Sequence, residues 1–306
     1  MQHGFLTLLL VAGVSLAAPL LYAALGELIS ETAGVINIGL EGMMLGGAFC
    51  GVWGAFLSGS VAVGFLAAAA GGMIVAAVHG VTCLVFRANQ VVSGVVLNVL
   101  VLGLTTFGIA VVFGSNLSRS VATLPALRIP LLADIPVAGP ALFNQDIGVY
   151  AAFALVPLLA WVLRRTPVGL ALKAVGERPA SAASLGVRVS AVRWGALLFC
   201  GLAAGIGGAQ LTLAGLGAFT QNVTAGRGFI ALAAVVFGRW RPLGTMVAVL
   251  LFATADAFQI RAQALGIHVP YQLLAMLPYL VTVVALAAFV RRMRAPAALG
   301  VTPERT

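Results

Sequence analysis

Charge-poor apolar stretches succeed one another along almost the whole chain, and each is about as long as the roughly 20 residues a helix needs to cross a bilayer core. They fall at about residues 5–25, 37–57, 61–86, 90–113, 146–163, 191–214, 226–238, 242–260 and 272–290. Hydrophobic residues make up 61% of the 306 and charged ones 8%, against about a quarter charged in soluble domains. The expected fold is all-α: one polytopic transmembrane domain over 1–306, with nine crossings inside a range of eight to ten. The 37 glycines fit this setting, because small residues let helices approach where lipid offers no hydrophobic drive. The stretch 226–238 is too short for an ordinary crossing and reads either as a tilted, buried helix or as a half-helix.

Lys and Arg favour the cytoplasmic side. Placing Arg87, the six bases between Arg164 and Arg193, Arg239, Arg241 and the C-terminal arginines inside puts 13 of the 17 there, leaving Arg119, Arg128, Arg227 and Arg261 outside. The N-terminus is then external and the C-terminus internal, with 226–238 crossing fully. Segments 114–145, external, and 164–190, cytoplasmic, are the only sizeable loops, and neither is long enough for a domain of its own. The external one carries Pro125, Pro130, Pro136 and Pro140 and reads as a packed loop over the mouth.

Catalysis finds little support. His3, His79 and His268 stand apart, with no metal-ligand spacing, and Cys50, Cys83 and Cys200 fall inside predicted spans as packing residues. The net charge of +9 comes from bases scattered at span ends, which argues against nucleic acid. Gly201, Gly205, Gly207 and Gly208 lack the lysine of a phosphate loop and read as helix packing. If ATP drives the protein, a partner subunit binds it; this chain is expected to hold no cofactor and no metal. Met1-Gln2-His3 has no basic n-region, so the first apolar run is expected to stay as a span.

The cytoplasmic segment GLALKAVGERPASAASLGVRVSAVRW (169–194) has a break expected at Gly176, Pro179 suited to a helix's first turn and a second break at Gly186. That describes a short helix at the membrane surface, either an amphipathic loop or an element docking into a soluble partner. Together with SETAGVINIGLEGMMLGGAF (30–49), RANQVVSGVVLN (87–98) and AGRGFIALAAVVFGRWRPLG (225–244), it resembles the permeases of bacterial nucleoside and simple-sugar ABC importers, a group that extends to ribose and branched-chain amino-acid permeases. The nucleoside branch is the nearest in appearance. The resemblance implies that 174–187 couples the bundle to a cytoplasmic ABC ATPase, through Gly176, Glu177, Pro179, Ala182, Ala183 and Gly186. Arg178 stands where relatives commonly carry Asn. It also implies a second, homologous permease in a heterodimer, an external solute-binding protein, and alternating access in a bacterial inner membrane.

TAGVINIGLEG (32–42) and TAGRGFIALAA (224–234) share an opening and lie on opposite sides in this topology, which suggests an inverted repeat. Glu41 lies well inside a span and must face protein, at a helix junction beside the pathway or at the solute itself. Asn37, Asn98, Gln210 and Asn222 offer amides to a small neutral solute, or fasten helices to one another. Arg227 and Asp256 pair across the external mouth or end as solvated helix termini; Glu27 and Glu31 are placed at the inner surface, paired with bases or solvated. The rival of another class is an ion-coupled secondary transporter or channel, for which Glu41 and Asp256 are the candidate relay groups.

Overall fold

The computed structural model describes residues 2–114, 121–130, 132–133, 135–136, 138–264, 276, 280 and 294–301. The predicted crossing at 272–290, Arg119, Arg291, Arg292 and Arg305 lie outside the described residues. The long helices are α1 (Gln2–Thr32), α2 (Leu40–Ser58), α3 (Val61–Gly80), α4 (Gln90–Phe113), α6 (Ile147–Arg165), α9 (Val189–Ala209) and α11 (Pro242–Ala264). Shorter ones are α5 (Ala138–Phe143), α7 (Pro167–Glu177), α8 (Pro179–Ser184) and α10 (Arg227–Phe237). π-helical turns extend α3 through Val81–Val85 and α9 through Gln210–Leu216. Among the described residues seven helices are long and apolar enough to cross a membrane, and the protein is a multi-pass membrane helix bundle.

Local sequence explains the boundaries. Asn89 caps α4 by accepting from Val91 and Val92 N–H, Asp146 caps α6 the same way, and Thr166 with Pro167 opens α7. Gly59, at φ +68, stops α2.

Helix α1 is the axis of the bundle, packed by α9, α11, α10 and α6. From Ala17 to Val35 it and the turn after it are buried, and Leu21, Leu25 and Leu28 are wholly so. Its helix runs seven residues past the predicted span, so Glu27 and Glu31 are interior rather than at a solvated end. On one flank α2, α3 and α9 meet almost backbone to backbone. A Cβ added at Gly47 would overlap the Gly205 Cα, and one at Gly72 would overlap the Gly201 carbonyl oxygen. The glycine-rich run in α9 therefore serves helix packing, as its sequence suggested. Helix α4 lies at the rim with Val92, Val96, Val99 and Phe107 outward, as lipid or another membrane subunit requires.

One end of the bundle gathers the basic residues. Lys173 and Arg294 share a cleft with Thr32 and Trp240, and Arg87, Arg178 and Arg188 line a neighbouring groove. By the positive-inside rule this is the cytoplasmic end. At the other end β1 (Ala126–Arg128) and β2 (Asn144–Asp146) form a two-stranded antiparallel ribbon. Val121 and Leu124 N–H bond to Gly217 and Leu213 carbonyls, which ties this external segment to the last turns of α9.

Candidate translocation and coupling sites

Glu41 stands in the first turn of α2, buried, and faces the start of α10. One carboxylate oxygen accepts from the Thr224 hydroxyl at 2.5 Å and from Gly226 N–H at 2.8 Å; the other accepts from Gly228 N–H at 2.6 Å. These are the N–H groups a helix start leaves unpaired, and the partial positive charge there favours an anion. Gly228 has to be glycine for this approach, since a Cβ would stand 2.6 Å from the Glu41 backbone nitrogen and Cα.

The depth of this knot is set by α10. Its 11 residues rise about 16 Å, half of a roughly 30 Å core. Just beyond its other end the Trp240 indole N–H donates to the Glu31 carboxylate at 2.5 Å, near the cytoplasmic end of α1. The Glu41 knot thus lies near mid-membrane. α10 is a half-helix, yet the chain still crosses, because residues 217–226 descend from the outer end of α9 in non-helical form. Protein shields part of that backbone: Val223 and Thr224 are buried, and Asn222, Ala225 and Gly226 take φ of +55, +45 and +84.

This corrects the placement of the two Thr-Ala-Gly segments. They do not lie on opposite sides; Thr224 of one bonds Glu41 of the other. The third residue of each triplet has nearly the same φ, +87 at Gly34 and +84 at Gly226. Their continuations differ, because α10 begins at once with Arg227, whereas α2 waits until Leu40.

Arg227 and Asp256 do pair, at 3.2 Å, but not at the mouth. Asp256 lies 14 residues into α11, about 21 Å above its cytoplasmic start, so the pair is intramembrane. The side chains are 21% and 23% exposed; Gln221 and Asn222, a few residues earlier in the chain, are exposed as well, and the Gln221 amide donates to the Thr106 hydroxyl on α4. Lipid is a poor solvent for such groups.

The other expected path residues are held more tightly. Asn37 is fully buried; its backbone N–H donates to Glu27, and its amide to the sulfurs of Met43 and Cys200. Cys200 in turn donates to Glu27 at 3.3 Å. Asn98, half-buried, accepts from Gly42 N–H and donates to the Ile38 carbonyl, clasping the start of α2 to α4. Gln210, 4% exposed, donates to Asp146 at 2.7 Å and joins α9 to α6. Among the expected amides, Asn222 is the one on an exposed face.

At the cytoplasmic end α7 and α8 meet at Arg178, whose extended backbone (φ −146) makes the corner, with Pro179 opening α8. Gly176 is not a break: α7 runs through it to Glu177. Its role is contact, since a Cβ there would overlap the Thr32 carbonyl oxygen at the end of α1. Gly186, at φ +84 with open space around it, is the turn expected there. Ala182 is buried against the bundle, while Glu177, Arg178, Ser181, Ala183 and Leu185 are exposed, Leu185 at 85%. A bare leucine, small residues and a carboxylate thus share this cytoplasmic face.

Sequence reasoning picked out Glu41 but missed its partners Thr224, Gly226 and Gly228, and it missed Trp240 and the burial of Arg193. The signal available was a Thr-x-Gly-x-Gly run just before a helix too short to span, which frees N–H groups for a buried acid.

Comparison with known proteins agrees with this architecture. Residues 9–289 match the family of branched-chain amino acid transport system permease components. Over 306 residues the chain is 37% identical to a guanosine ABC transporter permease protein of Bacillus subtilis, covering 97% of this chain and 96% of the relative. It is 37% identical over 294 residues to a nucleoside ABC transporter permease protein of Lactococcus lactis, with 93% of each covered. A putative glucose ABC transporter permease protein of Haloferax volcanii is 42% identical over 264 residues, covering 85% of this chain and 79% of the relative. The chain belongs to this family of ABC transporter permeases.

Proposed function

We propose that the chain is the non-catalytic, membrane-spanning permease of a nucleoside importer, energised by a separate cytoplasmic ATPase and supplied by an external solute-binding protein. The observation that carries the reading is the partly exposed Arg227–Asp256 pair near mid-membrane, with the exposed Gln221 and Asn222 on the non-helical stretch that leads into α10. Such a face needs water, solute or protein against it, and a second, homologous permease set against it encloses a path between the two chains. The pair's charges cancel and the exposed polar groups just before it in the chain are amides, which suits a neutral, hydroxylated or heterocyclic solute. The guanosine and nucleoside relatives support that solute class.

Energy enters at α7–α8. A partner gripping Glu177, Ala183 and Leu185 moves α7, which Gly176 seats directly on the end of α1. The Trp240–Glu31 bond links that end to α10, and the Glu41 knot links α10 to α2. In this mechanism the permease contributes two conformations that the ATPase selects between, with ATP bound outside this chain. Glu41, Asn98 and Asn222 border the path, while Asn37 and Gln210 hold its walls.

A sugar is the second reading, supported by the glucose relative of Haloferax volcanii. Proteoliposomes holding the permease pair and ATPase, with binding protein outside, should accumulate labelled guanosine with ATP and ignore glucose. Glucose uptake instead would exchange the solute and keep the mechanism. Uphill transport by this chain alone, under an ion gradient and without ATPase, would overturn it.

A further inference from the structure

Between α8, the first turn of α9 and the π-helical end of α3 lies a cavity of about 1020 Å³ at the cytoplasmic end. Arg87, Arg178, Arg188 and Arg193 line it, together with apolar residues such as Leu84 and Val189, and none of its described lining residues is acidic. Arg193 is unusual among them. It is 2% exposed, its Nε has no hydrogen-bond partner, and it has no carboxylate partner among the described residues. A buried guanidinium left in this state is unfavourable unless an anion completes it.

We propose that this groove holds an anionic phospholipid of the inner leaflet, its phosphate on Arg193 and the rim arginines and its acyl chains along the apolar wall. Guanidinium groups suit phosphate oxygens, and basic pockets at the cytoplasmic side of helix bundles suit such headgroups. The apolar lining favours a lipid over free phosphate. The depth of Arg193, behind α8, favours it over an acidic segment of the ATPase. The lipid would lie against α8, whose Ser181 and Ala183, with Arg178 at the corner before it, also line the groove.

The test uses the assembled importer, permease pair with ATPase, in nanodiscs of equal phosphatidylglycerol and phosphatidylcholine, followed by detergent extraction and native mass spectrometry of retained lipid. Retention of phosphatidylglycerol over phosphatidylcholine is expected, and Arg193→Gln should reduce it about tenfold, the effect of losing one charge-assisted bond. Because Arg193 is buried, the surface variant Arg87→Gln/Arg188→Gln serves as the control for folding and should reduce retention in the same direction. Equal retention of both lipids, or enrichment unchanged in both variants, would overturn the proposal. So would displacement of the lipid by millimolar glycerol phosphate, which would make the site one for a free phosphate. Lipid retained by the permease pair alone but lost from the assembled importer would also overturn it, and would assign the groove to the ATPase.

Discussion

Replacing Glu41 with Gln changes one atom and should loosen the middle of the protein. Hydrogen bonds to a charged group contribute about 1.5–3 kcal/mol and neutral ones about 0.5–1.5, so losing the charge removes about 1 kcal/mol at each donor. Three donors face this carboxylate: the Thr224 hydroxyl and the N–H groups of Gly226 and Gly228. Loss of an anion at the start of α10 adds up to about 2 kcal/mol. The new amide NH₂ must also face a donor, as the backbone groups there cannot turn to accept it. The sum is about 4 kcal/mol, against a total of about 5–15 kcal/mol for a typical domain. SDS titration of the purified permease in mixed micelles, followed by circular dichroism, measures it, with Thr224→Val and the double variant completing a cycle. A loss below about 1 kcal/mol, or additivity of the two changes within about 0.5 kcal/mol, would refute the view that Glu41 binds α2 to α10 through these contacts.

Three further outcomes are expected. Gly176→Ala drives a Cβ into the Thr32 carbonyl and should cost about 2 kcal/mol and reduce coupled transport, whereas Gly186→Ala, with open space around it, should cost only the left-handed strain of about 1 kcal/mol; equal effects in thermal unfolding would argue against the α7–α1 contact. Glu177→Lys with Ala183→Trp should leave the protein in the membrane but separate ATP hydrolysis from uptake, and unchanged solute transported per ATP would remove α7–α8 from the coupling route. A cysteine at Ser184, exposed on α8, should react in intact cells only with membrane-permeant maleimide; reaction with an impermeant reagent would invert the topology.

Much of the architecture was legible in the chain alone, because lipid makes the rules strict. A spanning backbone has to satisfy its own hydrogen bonds, so helix is forced and length plus hydropathy locates it. The stretch expected at 90–113 became α4 with the same limits, and that expected at 61–86 became α3 with its π turn. The ambiguity at 226–238 was legible too, since a run of that length cannot cross unaided.

Depth and partnership were not. Nothing in the local sequence around Thr224 says that it meets a residue 183 positions away, and the charge on Glu41 is silent about what neutralises it. Glu27 and Glu31 read as helix-end charges, and Arg193 as a loop base, because solvent access is a property of the packed bundle and not of a window of residues. Gly176 read as a break because glycine serves both flexibility and close contact, and only the Thr32 carbonyl standing against it chooses between them. The sequence by itself thus determined that the chain folds as helices in lipid, where they begin and which end is basic; tertiary structure decided which charges are buried, what pairs with them and which glycines are contacts, since those depend on residues that come together only when the helices pack.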